Sequence, residues 1–85
     1  MKQLLKNALE FFESGEDNLT KKRYNASTAD FFKSIVIFCD HLIYEEMRII
    51  PKNHSHRFSL LQTYFKEIYQ NVSTLFETYI KSYSL

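Results

Sequence analysis

The run from Asn25 to Ile50 contains neither Gly nor Pro, and Pro51 ends it. At 3.6 residues per turn it makes a helix of about seven turns. Its centre, Ile35-Val36-Ile37-Phe38-Cys39, is apolar in every direction. A helix that is apolar all round cannot lie on a surface; it belongs inside a bundle or between subunits. Two stripes can be traced along it. Ala26, Ala29, Phe32, Val36, Cys39, Ile43, Met47 and Ile50 form one, and Phe31, Ile35, Phe38, Leu42 and Ile49 the other. Two stripes require two packing surfaces: one for the preceding helix, the second for a later helix or a second subunit. Asp30, Lys33, Glu45 and Glu46 are left for solvent, and Asp40-His41 reads as a solvated helix edge.

The flanking segments are helical too. Before the long helix, Leu5, Ala8, Phe12, Gly15 and Leu19 recur at three- and four-residue steps, which predicts a helix over 2–22. Gly15, the only glycine, either breaks that helix or lies on its buried face to admit a neighbour; the stripe continuing in phase to Leu19 favours the second. Lys21-Lys22-Arg23 then forms a turn suited to the negative end of a helix dipole, with Asn25 as N-cap of a helix over 25–50. Beyond Pro51, Asn53 or Ser55 can cap a helix over 55–66, with Phe58, Leu61 and Phe65 facing inward. A last helix over 67–84 carries Ile68, Val72, Leu75 and Tyr79, with Tyr69, Phe76 and Tyr83 beside them. No Gly or Pro separates these last two, so they are either one rod or two helices. The expected fold is a single all-α domain, an antiparallel up-and-down bundle of three to four helices.

With 85 residues, such a domain buries a modest core and is marginal alone. Eight Phe and six Tyr are more apolar bulk than one small subunit hides, and self-association uses the surplus. A net charge of +1 argues against a dedicated electrostatic binder of long nucleic acid. A lone Cys39 makes no internal bridge, which predicts a buried thiol and a reducing, cytoplasmic setting. Neither a signal peptide nor an uncharged stretch of membrane-spanning length is expected.

A single glycine rules out a glycine-rich phosphate loop. Cys39-x-His41 and His54-x-His56 resemble zinc ligands, but helical residues two apart point about 200° apart, so neither a metal nor a cofactor is expected. The polar cluster with most chemistry is Lys52, His54, His56 and Arg57 at a helix start. Unpaired N–H groups and the positive dipole end there suit an anion or an RNA phosphate, which Arg57 could grip with its fork. The same dipole favours a neutral imidazole, as a general base needs.

Lys22-Arg23-Tyr24-Asn25-Ala26 leads into a long helix carrying Asp30-Phe31-Phe32-Lys33-Ser34-Ile35, followed by a Pro-bearing loop and His54. This pattern resembles HEPN domains, small all-helical proteins of archaea and bacteria. The resemblance implies pairing through the long helices, here by Phe31, Ile35, Phe38 and Leu42. It also implies a minimal nucleotidyltransferase as companion in a toxin–antitoxin-like pair. Active members are metal-independent ribonucleases with an Arg four to six residues before a His, a spacing met by Arg48 and His54. Two readings follow: a non-catalytic module that dimerises and partners an enzyme, which the surplus apolar face favours, or a ribonuclease or RNA-binding protein with a composite site across the dimer.

Overall fold

The computed structural model describes the backbone of residues 2–83 and the side chains of residues 2–78 and 81. The sequence expectations for the Tyr79 and Tyr83 side chains, and for a helix reaching residue 84, lie outside the described residues. The described residues form four helices, all-α as expected: α1 (Lys2–Thr20), α2 (Tyr24–Met47), α3 (His54–Tyr64) and α4 (Lys66–Tyr83).

The helix ends depart from expectation by a few residues, each for a local reason. Lys22 turns left-handed at φ 61. Its N–H bonds the Leu19 carbonyl and the Arg23 N–H bonds the Asn18 carbonyl. This paired closure usually employs glycine, and a lysine fills the place. The next helix accordingly starts at Tyr24 with Arg23 in the cap position, and Asn25 is not the N-cap. At the far end Arg48 turns left-handed at φ 57 and its N–H bonds the Tyr44 carbonyl, so α2 stops before Ile49 and Ile50. Pro51 reinforces the stop by disfavouring helical geometry at the residue before it. Asn53 caps α3 as anticipated, its side chain accepting from the His56 N–H at 2.8 Å.

Gly15 does not break α1. It is buried, and a Cβ there would stand 2.7 Å from the Phe31 ring. The α1–α2 seam is built from small residues: the Ser27 hydroxyl donates to the Gly15 carbonyl at 2.9 Å, and the Ser34 hydroxyl to the Ala8 carbonyl at 2.6 Å. These pairs run in opposite order along the two helices, so α1 and α2 are antiparallel. Asp30 is not left to solvent. It is half-buried at this seam and accepts from Ser14 at 2.6 Å and Asn18 at 2.8 Å.

The core proper lies between the other three helices, where Cys39 and Ile43 of α2 gather with Leu61 of α3 and Val72 of α4. Helices α3 and α4 are separate, parted at Phe65 alone (φ −137, ψ 61). Phe65 packs against that core while its N–H still reaches the Leu61 carbonyl, so burying both arms outweighs continuing one rod. Phe58 meets Tyr69 and Phe76 across the resulting antiparallel V, and α4 runs antiparallel to α2, with Phe76 against Phe32.

Strict up-and-down alternation is interrupted once. Residues 48–53, six positions able to span about 20 Å, carry the chain back along α2 and bury Pro51 on the way. Thus α3 sets off in the same sense as α2, with His54 beside Phe32 and Arg57 beside Asp40.

Candidate functional site

Helix α1 packs on α2 alone; among the described residues it approaches neither α3 nor α4. Since α4 lies against another side of α2, a valley remains between α1 and α4. Its floor is Ile35, Phe38 and Leu42 of α2, with Phe12 of α1 on one wall and Ile68 and Val72 of α4 on the other. The larger hollow of this valley holds about 340 Å³. A second hollow of about 160 Å³ continues it along the α2–α4 seam through Phe31, Ile35 and Leu75 to Thr28. From Thr28 to Leu42 the valley is about 21 Å long at 1.5 Å per residue.

The floor is the second stripe of the long helix. The chain's own packing covers it in part: Phe31, Ile35 and Leu42 are half-buried, while Phe38 is 41% exposed. The wall residues Phe12 and Leu75 are 47% and 44% exposed. Large apolar side chains open along one continuous channel mark an interaction surface more than scattered surface hydrophobes do. Phe12 was not separable from core residues by periodicity, since α1 shows one broad apolar face, while Val72 belongs to the core and Ile68 packs against it as well as bordering the valley.

The polar cluster lies on the opposite flank of α2, and its side chains are engaged with one another. Asp40, only 8% exposed, is not a solvated helix edge. Its carboxylate takes the Arg57 fork at both oxygens, from Nε at 2.5 Å and Nη2 at 2.9 Å. Arg57 is likewise 8% exposed. Its remaining Nη1 donates to Nδ1 of His54 at 2.8 Å. A guanidinium only donates, so Nδ1 is the accepting nitrogen and the proton of the neutral ring sits on Nε2. The His54 ring also lies against Phe58 and Phe76, with centroids at 6.0 and 5.5 Å. Burial first, and the Arg57 charge second, hold its pKa below the usual imidazole range; Asp40 opposes them. The lowered pKa favours the neutral ring expected from the sequence although the side chain keeps substantial exposure to solvent, and its Nδ1 lone pair is committed to Arg57.

The other candidates have local duties. The Nδ1 of His56 accepts from the Lys52 backbone N–H at 3.1 Å, which closes the turn before α3. The Lys52 side chain is exposed. Arg48 lays its guanidinium over the Tyr44 ring, 5.2 Å from the centroid, so Arg48 and His54 are each held by different neighbours. His41 is half-buried and meets the edge of Phe38. Burial pushes the Cys39 thiol up to about 11, with the neighbouring Asp40 charge adding to it. Among the described residues no three His, Cys, Asp or Glu side chains converge on a point where a metal could sit, and no helix is long and apolar enough to cross a membrane.

One signal for the ion pair was present in the sequence. Asp40 follows directly on the stretch that is apolar all round, and a carboxylate buried there needs a cationic partner. Nothing local identified Arg57 as that partner. No family model matches the chain, and neither a curated protein nor a solved structure matches it.

Proposed function

We propose that this chain is a HEPN-like, non-catalytic interaction module that acts as a homodimer through the valley floored by Phe31, Ile35, Phe38 and Leu42. The observation that carries the reading is the open apolar channel left between α1 and α4. A domain of this size gains much of its stability from covering such a surface. The polar cluster supports the non-catalytic side of the reading, because the Arg57 fork is bound to Asp40 and the His54 lone pair to Arg57. A minimal nucleotidyltransferase is the companion that the HEPN resemblance suggests, and it would meet the dimer on a surface outside the valley.

Sedimentation velocity across the micromolar range tests the reading. A concentration-dependent shift from one subunit to two, abolished in Phe38→Gln, is expected. A strict monomer across that range would remove the proposal.

A further inference from the structure

Where α3 begins against α2, on the flank away from the valley floor, lies a small hollow of about 160 Å³. Phe32, Lys33, Val36 and Ile37 of α2 line it together with His54. Its floor is apolar, and its two polar groups are both donors. The buried ion pair fixes one of them. Arg57, held by Asp40, donates to Nδ1 of His54, so the neutral ring carries its proton on Nε2. That ring is exposed, and among the described residues nothing accepts from Nε2. Lys33 supplies the other donor. Its side chain borders the hollow, while its ammonium lies over the Phe11 ring, 5.5 Å from the centroid, and makes no ion pair among the described residues. No Asp or Glu is among the residues that line the hollow.

A cationic arm and a fixed N–H beside an apolar floor select an anionic acceptor carried on a compact apolar body. The size of the hollow sets that body, because a cavity of about 150 Å³ takes one benzene ring. A carboxylate suits the two donors, with one oxygen for each. A phosphate brings a further oxygen, which would lie on apolar side chains without a partner. We propose that this hollow binds a small aryl carboxylate, its ring on Phe32, Val36 and Ile37 and its carboxylate between the Nε2–H of His54 and the Lys33 ammonium. Asp40 and Arg57 are then positioning residues, which hold the His54 donor in one tautomer.

Titration with sodium benzoate, followed by NMR, tests the proposal, with benzamide as the uncharged isostere. Expected are saturable shifts of the Val36, Ile37 and His54 signals with a Kd of about 1 mM, as for a ligand of fragment size, and at least tenfold weaker binding of benzamide. Lys33→Met should remove that preference. His54→Leu should weaken benzoate at least tenfold, whereas His54→Gln, whose amide also offers an N–H, should keep most of the affinity. In D40L/R57M the imidazole nitrogens should report a mixture of tautomers and benzoate should bind more weakly; an unchanged tautomer and affinity would overturn the positioning role. Lys33 is exposed, so its variant decides the matter even if a His54 variant loses its helices by circular dichroism. Benzoate and benzamide binding alike, shifts that do not saturate, or a His54→Leu affinity equal to the wild type would overturn the proposal, and none of these outcomes touches the dimer reading.

Discussion

The two long sides of α2 that border α1 and the valley are built on opposite plans. Toward α1, Ser27 and Ser34 bond the Gly15 and Ala8 carbonyls directly, Asp30 accepts from Ser14 and Asn18, and the Phe31 ring lies over Gly15. Toward the valley stand Ile35, Phe38 and Leu42, far more apolar, with Ile35 and Leu42 half-buried and Phe38 left exposed. Small residues thus mark the place where α1 and α2 approach most closely, while Phe38 borders open space. Apolar content measures how much surface needs cover; small residues set where two helix backbones can approach.

That contrast predicts that substitutions on the closed sides of α2 lower folding stability, and those on the open side lower association instead. The largest effect is expected behind the valley, at the buried ion pair. Asp40→Ala strands the Arg57 charge and should cost about 3–5 kcal/mol in urea unfolding. Replacing both partners, as in D40L/R57M, should recover most of that loss; equal damage from the single and double variants would show that the pair itself was not the source. At the α1 seam, Gly15→Val forces a branched side chain into the Phe31 ring and should cost about 1–3 kcal/mol through overpacking. A smaller loss would mean that the seam is looser than its hydrogen bonds imply.

On the open side, Phe38→Gln should leave folding stability within about 1 kcal/mol of wild type, as for an ordinary surface position, while abolishing the proposed self-association. Unfolding of the variant would break the comparison between the two sides. The smallest effect belongs to pH. A folded-state pKa of His54 below its unfolded value means that the unfolded chain binds more protons as pH falls through the ordinary imidazole range near 6.5. Stability should therefore be fully present at neutral and higher pH and decline on acidification from pH ~7.5 to ~5.5. His54→Gln should show a flatter urea-midpoint profile over that interval; an unchanged slope would assign the proton uptake to another group.

Much of the architecture could be read from local pattern. The four helices, both stripes of α2 and the Asn53 cap follow from periodicity and capping chemistry that act within a few residues. The continuity of α1 through Gly15 was legible because Leu19 stays in phase. The helix stops at Lys22 and Arg48 were not, because the left-handed position they occupy normally goes to glycine and the turn contains none. The break at Phe65 has no local marker either; it is decided by the packing of Phe58 against α4. At the polar cluster the residue types were visible, but their pairing was not. Whether Arg57 turns outward to an anion or inward to Asp40 depends on residues 48–53 doubling back along α2, which no spacing announces.

The single sulfur has a consequence for how the molecule breathes. Cys39 sits beneath the valley floor, 3% exposed, with ionisation displaced to about 11. Near neutral pH its reactive thiolate is therefore scarce as well as shielded. Cys39 also borders the valley cavity, so its exchange with a soluble disulfide reports on access through the valley floor. The chain carries a chemical clock at the place where its mate would bind, and occupancy of that place should slow it.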